Sequence, residues 1–236
     1  MHSPANSCDQ GYIAIQALSR YAIKAAIILL AVLALLPVSV DRVAAQTAPT
    51  ISDEALVQTL RAGGFNIYFR HAATDWSQSD DVGKAGDWLS CDSSRMRQLS
   101  AEGRQTSINI GESIRTLGLP VGEVMASPYC RTVETAELMR LGAVEATTDV
   151  MNLRVATYFG GRGAIVRSAQ MRLSTKPATG TNTVIVAHGN VAQAATPVYP
   201  GEGEAIIFQP DGEGGFRYIA RIAPDDWPGI IALVPR

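Results

Sequence analysis

The sequence predicts an α/β fold, with one three-layer α/β/α domain around a central, mostly parallel sheet. Short apolar runs alternate with stretches of helical periodicity, which is typical of this fold class. Two of the apolar runs end in a histidine: residues 66–69 lead to Arg70 and His71, and residues 183–187 lead to His188. Because ligands bind at the carboxyl ends of strands in such sheets, we expect both histidines at one edge.

The N-terminus has the features of a secretory signal peptide. An apolar run at residues 25–40 follows Arg20 and Lys24, and small residues lead up to a cleavage position after Ala45. A run of 16 residues is short for a membrane-spanning helix, which needs roughly 18 to 20. The sequence thus predicts a cleavable signal over residues 1–45, a periplasmic or secreted protein, and no membrane span after cleavage. A retained anchor is the alternative.

Composition and length are those of one globular domain. The chain has 236 residues, of which 47% are hydrophobic and 18% charged, and its net charge is −2. This balance argues against a nucleic-acid binder with a broad basic surface. We expect a leader and first helix over residues 46–65, the domain over residues 66–236, and no internal repeat.

The first half of the domain has clear helix signals. Ser52 is a candidate N-cap for a helix that Gly63 and Gly64 end. Residues 74–99 are polar and without a sustained period, which predicts a long loop over the end of the first strand. Ser100 then caps a second helix.

The second half continues the alternation and ends in a hairpin. A short strand ends at Ala126, and Ser127 and Pro128 turn the chain into a third helix. The remaining predicted elements are a weaker helix near 165–173, the strand before His188, and hairpin strands at 205–209 and 216–222.

Two cysteines remain once the predicted signal is removed. Cys91 and Cys130 form an even pair in an oxidising compartment, so they are candidates for a disulfide.

Arginine and histidine side chains collect at the predicted sheet edge. Arg70 and His71 follow one strand, Arg131 follows the turn after another, and His188 follows a third. Guanidinium groups bind phosphoryl oxygens in a bidentate manner, and imidazole can donate a hydrogen bond or attack phosphorus. This set of side chains predicts a site for a phosphate dianion.

The chain resembles the histidine phosphatase (phosphoglycerate mutase-like) superfamily in four short blocks, which together span roughly residues 66–222. The blocks read Phe69-Arg70-His71-Ala72, Leu99-Ser100-Ala101-Glu102-Gly103-Arg104-Gln105, Ser127-Pro128-Tyr129-Cys130-Arg131-Thr132-Val133-Glu134-Thr135-Ala136 and Val186-Ala187-His188-Gly189-Asn190. Each block alone is a weak signal, but their order and spacing are specific.

The resemblance implies a role for each motif residue. His71 would accept the phosphoryl group as phosphohistidine, while Arg70, Arg131 and His188 would bind its oxygens. Attack requires a neutral His71, so its far ring nitrogen is expected to donate to a backbone carbonyl. The resemblance implies no metal and no cofactor.

The proton donor for the leaving group is the open part of the predicted site. Many members carry a glutamate soon after the third of these blocks, but residues 151–154 of this chain lack a carboxylate. Glu204 is the preferred replacement and Asp75 the alternative. Tyr129, Asn190 and Asp75 are expected to line the substrate pocket.

These residues predict an exported phosphomonoester hydrolase that acts on a small-molecule or envelope phosphomonoester. The first alternative is a non-catalytic binder of phosphorylated envelope components. A phosphomutase is the second alternative. The predicted export and the missing glutamate both argue against it. No partner protein is implied.

Overall fold

The computed structural model describes residues 53–233. The predicted signal peptide, its cleavage position and the Ser52 cap lie outside the described residues. No helix in the described part of the chain is long and apolar enough to cross a membrane.

A single six-stranded sheet forms the centre of the domain, with strand order β3-β2-β4-β1-β5-β6. The first four strands in this order run parallel, and the hairpin of β5 and β6 adds an antiparallel edge beside β1. The strands are β1 (Asn66–Arg70), β2 (Val121–Ala126), β3 (Val144–Ala146), β4 (Asn182–Ala187), β5 (Ala205–Pro210) and β6 (Phe216–Ile222).

The described residues also form six α-helices: α1 (Asp53–Ala62), α2 (Ala101–Thr116), α3 (Cys130–Met139), α4 (Arg162–Ser174), α5 (Gly189–Ala195) and α6 (Trp227–Leu233). The predicted start of α2 is confirmed, because the side chain of Ser100 accepts a hydrogen bond from the amide of Gly103 at 3.0 Å. This bond satisfies one of the amides that have no partner within the helix.

Apolar side chains pack on both faces of the sheet, which confirms the predicted three-layer architecture. Along β1, Ile67 and Phe69 point to a core shared with α1, α2, α3 and α6, whereas Tyr68 points to a second core shared with α4 and α5. A strand buried on both faces reads as a continuous apolar run, which is why β1 and β4 show no alternation in the sequence.

Residues 74–99, called here the 74–99 loop, contain one short 3-10 turn at Asp87–Leu89. A bridge between Thr74 and Leu99 closes the base of the loop. Its later part is tied to the start of α3 by the disulfide between Cys91 and Cys130, whose Cα atoms are 5.3 Å apart. The loop therefore covers the edge of the sheet at which the histidines lie.

Candidate active site

The carboxyl ends of three neighbouring parallel strands carry the predicted site. Strand β4 lies between β2 and β1, and Arg70 of β1 is level with Ala187 of β4. His71 and His188 are the next residues, and the amide of His71 donates to the carbonyl of Ala187 at 3.0 Å. Strand β2 ends level with β4 and leads through Ser127 into α3.

His71 is held as a neutral imidazole with a defined tautomer. Its Nδ1 lies 2.9 Å from the carbonyl oxygen of Ala72, and a carbonyl can only accept, so Nδ1 carries the hydrogen and Nε2 keeps its lone pair. Burial, followed by the positive charge of Arg131, lowers the pKa of His71 well below its usual value. Both effects leave an unprotonated Nε2 at neutral pH.

His188 lies beside His71 and is also buried and neutral. The two ring centroids are 5.7 Å apart, with the planes at 71°. The Nε2 atom of His188 is 2.9 Å from the hydroxyl oxygen of Ser127. The Tyr68 hydroxyl donates to the backbone carbonyl of His188 at 2.8 Å. Burial and then Arg131 lower the pKa of His188 well below its usual value.

Arg131 lies in the first turn of α3 and is almost completely buried. Its guanidinium stacks on the ring of Tyr129 at 4.6 Å. Nη1 and Nη2 donate to the two carboxylate oxygens of Asp80, at 2.9 and 3.1 Å. Only 2% of the Arg131 side chain and 4% of the Asp80 side chain are exposed, so the 74–99 loop places a carboxylate directly on a guanidinium predicted to bind phosphate.

Arg70 is held by the segment that precedes β5. Its Nη2 donates to Glu202 at 3.4 Å, and Nη1 donates to the carbonyl of Pro200 at 3.3 Å. The guanidinium also lies 5.5 Å from the ring centre of Tyr199. Arg70 and Arg131 thus each face one carboxylate of the protein.

Three charged residues that contact this arrangement were not predicted from the sequence: Arg97, Asp80 and Glu202. The pKa of Arg97 is lowered by burial and then by Arg131, which places its guanidinium beside the other cations. It also stacks on Trp76 at 4.0 Å. The one sequence feature that could have drawn attention to Arg97 is its position just before the Ser100 cap. No pattern in the polar 74–99 loop distinguishes Asp80.

The carboxylates predicted as proton donors are engaged elsewhere. Both side-chain oxygens of Glu204 accept from the guanidinium of Arg221, and one also accepts from the amide of Gly201 at 2.7 Å. Asp75 accepts from Ser77 and Gln78 within its own loop. Their roles stay predictions, and each carboxylate would first have to leave these partners.

The other two predicted pocket residues lie around His188. The Tyr129 ring packs edge-on against the His188 imidazole at 4.8 Å, and burial raises the pKa of Tyr129 to about 12. Asn190 follows His188 in α5 and donates to the side-chain oxygen of Asn152 at 2.8 Å. Tyr129 therefore contacts the site directly, and Asn190 borders it.

Several buried polar atoms around the histidines make no hydrogen bond to another part of residues 53–233. Four can donate, namely Nε of Arg131, Nε of Arg97, Nδ1 of His188 and the hydroxyl of Tyr129, and one is an acceptor, Oδ1 of Asn190. Buried donors are nearly always satisfied in proteins, so this concentration indicates a site built for a ligand rich in acceptors. An oxyanion has that chemistry.

A cavity of about 810 Å³ lies next to the site. Its walls include Thr74, Trp76, Glu102, Arg104 and Glu202. Of these wall residues, Glu202 contacts the guanidinium group of Arg70 and Trp76 contacts that of Arg97. Within residues 53–233, no group of three or more His, Cys, Asp or Glu side chains lies close enough to hold a metal ion.

Comparison with solved structures finds proteins of similar fold. The structure of the protein histidine phosphatase SixA complexed with tungstate is similar with a TM-score of 0.50 and 13% identity, covering 69% of this chain and 98% of that chain. A phosphoserine phosphatase mutant from Entamoeba histolytica in complex with phosphoserine has a TM-score of 0.45 and 11% identity, covering 68% and 97%. YhfR from Bacillus stearothermophilus has a TM-score of 0.44 and 17% identity, covering 65% and 94%.

No protein-family model matches the chain, and comparison with curated proteins finds no match. The order of the strands, the position of the two histidines and the likeness to SixA agree with the four motif blocks. The chain therefore has the histidine phosphatase (phosphoglycerate mutase-like) fold.

Proposed function

We propose that this protein is a phosphomonoester hydrolase that works through a phosphohistidine at His71. The observation that carries the proposal is the tautomer of His71, since Nδ1 donates to the Ala72 carbonyl and leaves the Nε2 lone pair available. A neutral imidazole with one fixed tautomer is the form that attacks phosphorus. The similar SixA structure contains tungstate, an oxyanion.

The arginines and His188 would bind the phosphoryl oxygens. Arg70 and Arg131 supply guanidinium donors, and the Nδ1 of buried His188 makes no hydrogen bond within the described residues. Charge on the transferring group spreads over its three equatorial oxygens in the transition state, where fixed donors in a buried site stabilise it most.

The reaction would proceed in two steps at phosphorus. The Nε2 atom of His71 forms the N–P bond as the ester O–P bond breaks, and the leaving oxygen takes up a proton. A water molecule then attacks the phosphohistidine, releases inorganic phosphate and restores the neutral imidazole. Nothing in either step needs a metal or a cofactor.

Before the first step, the phosphoryl group of the substrate must replace the carboxylates that contact the arginines. Asp80 occupies Arg131, and Glu202 lies on Arg70, so an entering phosphoryl group has to replace these contacts. This requirement predicts that affinity for phosphate depends on Asp80.

We also propose that the protein is exported, as its N-terminal sequence predicts. The disulfide between Cys91 and Cys130 supports this proposal, because structural disulfides form in oxidising compartments. Cell fractionation, with alkylation of free thiols before mass spectrometry, tests both points. Recovery of the protein with free thiols from the cytoplasm would contradict the proposal.

The experiment on activity compares the wild type with His71→Ala over a panel of phosphomonoesters. Hydrolysis that the substitution abolishes supports the proposed function. Hydrolysis that persists in the variant contradicts the mechanism. Saturable phosphate binding by the wild type, with no phosphate release from any member of the panel, would favour a non-catalytic binder.

A further inference from the structure

A proton donor is required for an alkyl leaving group, and four carboxylates lie close enough to be considered. Three of them are engaged by other side chains of the protein. Glu204 is held by Arg221, Asp75 is held by its own loop, and Asp80 is buried on Arg131. Asp75 and Glu202 both line the cavity next to the site, but of these two carboxylates only Glu202 accepts a hydrogen bond from Arg70.

Glu202 is fixed relative to the nucleophile through its own backbone. The amide of the next residue, Gly203, donates to the carbonyl oxygens of both Arg70 and His71, at 3.2 and 3.1 Å. Gly203 has φ of +74°, which favours glycine, and an added Cβ would lie 3.1 Å from Pro224. These hydrogen bonds fix the backbone next to Glu202 relative to His71.

The side chain of Glu202 faces the residues of the phosphate site. Its Oε1 accepts from Nη2 of Arg70 at 3.4 Å and from the hydroxyl of Thr74 at 3.1 Å. The Glu202 charge also opposes the lowering of the Arg97 pKa by burial. Glu202 thus lies where the phosphate-binding arginines meet the open side of the site.

The cavity next to the site provides the space for a leaving group. It is lined by Glu202 and Thr74, whereas His71 and His188 are only 3% and 2% exposed. A phosphoryl group bound among the buried residues would extend its ester oxygen toward this open side. The carboxyl of Glu202 would then lie beside the bond that breaks.

We propose that Glu202 is the general acid of the hydrolysis; this inference rests on the proposed function. The carboxylic acid of Glu202 gives its proton to the leaving oxygen as the O–P bond breaks and the bond from His71 to phosphorus forms. In the second step the resulting carboxylate accepts a proton from the attacking water. The acid is thereby regenerated, and protons balance over the cycle.

Substrate entry changes the contacts of Glu202. In the free protein Glu202 is ion-paired with Arg70. A phosphoryl dianion that binds Arg70 competes with the carboxylate for that cation. The side chain of Glu202 is then released from Arg70, while its backbone stays fixed next to His71.

The test compares leaving groups of different acidity in Glu202→Gln. Hydrolysis of glycerol 2-phosphate, whose alkoxide needs a proton, is expected to fall by about 100-fold or more. Hydrolysis of p-nitrophenyl phosphate, whose leaving group is stable without a proton, is expected to fall only a few-fold. The basic limb of the pH profile should also be lost, and Glu202→Asp should restore part of the activity.

Glu213→Gln is the control for the change of charge, because Glu213 is exposed in the turn between β5 and β6 and does not line the cavity. It should leave both substrates unaffected, while inorganic phosphate binding by Glu202→Gln shows that the variant is folded. Equal losses on both substrates, or no loss, would overturn the assignment while the proposed function stands. Absence of His71-dependent hydrolysis in the wild type would overturn both.

Discussion

Replacement of Asp80 by asparagine is expected to tighten the binding of inorganic phosphate. The carboxylate of Asp80 accepts two charge-assisted hydrogen bonds from Arg131, at 2.9 and 3.1 Å, and a third from the amide of Arg97 at 3.1 Å. These bonds hold the guanidinium that phosphate has to reach. Phosphate binding therefore includes the cost of removing Asp80 from Arg131.

The size of the effect follows from the bonds that asparagine cannot make. An amide keeps one acceptor oxygen and turns an NH₂ group toward Arg131, so at least one bond to a charged group is lost. Such a bond contributes about 1.5–3 kcal/mol. The dissociation constant for phosphate should fall by a factor between about 10 and 100.

The free variant should also be less stable, since Arg131 then has a buried charge without a full counterion. Loss of one partner of a buried pair costs about 3–5 kcal/mol, and the remaining amide oxygen should keep the loss near the lower end. Added phosphate should remove much of the difference in melting temperature, because it supplies the missing anion.

Isothermal calorimetry with inorganic phosphate, in a buffer without competing anions, measures the affinity directly. Asp87→Asn is the matched control: Asp87 pairs with Arg95 in the same loop but does not contact Arg131. It should leave the affinity for phosphate unchanged. Unchanged or weaker binding by Asp80→Asn, or equal tightening by both variants, would refute the competition between Asp80 and phosphate.

Three further outcomes are expected. Replacing Cys91 and Cys130 together by serine should lower the free energy of unfolding by about 2–4 kcal/mol, because the disulfide closes a loop between residues 39 positions apart. Gly103→Ala should destabilise by about 1–3 kcal/mol, because its Cβ would lie 2.0 Å from a backbone oxygen of the loop after β1. Burial lowers the pKa of His71 and His188. Below about pH 6.5 the unfolded chain therefore binds protons that the folded chain does not. The free energy of unfolding should fall as the pH is lowered, by up to about 1.4 kcal/mol per pH unit for each histidine.

Denaturant unfolding measures all three outcomes. The control for the disulfide is the wild type, measured in its oxidised and its reduced form. Equal free energies of unfolding for these two forms would contradict the prediction. Gly163→Ala is the control for the glycine, since its Cβ meets only the mobile end of Arg167 at 3.2 Å and a small gain is expected. A free energy of unfolding that does not change between pH 7.5 and 5.5 would contradict the account of the buried histidines.

Periodicity and motif order predicted most of the fold because the signals are local. The strands before His71 and His188, the cap at Ser100 and the terminal hairpin all depend on neighbouring residues, and each is present. Strand β3 was missed because three residues are too few to show a pattern. Helix α5 was missed because it begins directly after the strand that leads to His188 and has only 7 residues.

The phosphate-binding side of the candidate site could be anticipated, whereas its carboxylates could not. The arginines and histidines follow predicted strands, so the sheet brings them together. Asp80 and Glu202 reach the same place from irregular segments whose course depends on tertiary contacts. Glu204 was preferred over Asp75 because it directly precedes the strand after His188, but only the fold shows that Arg221 lies within reach of Glu204.

During turnover, His71 is expected to carry the phosphoryl group. The direct measurement is rapid denaturation of the enzyme during hydrolysis of a phosphomonoester, under alkaline conditions that preserve phosphohistidine, followed by peptide mass spectrometry. A phosphoryl group is expected on the peptide that contains His71, and it should be absent from the His71→Ala variant. Turnover without any phosphorylated peptide, or with the phosphoryl group on a different residue, would contradict this expectation.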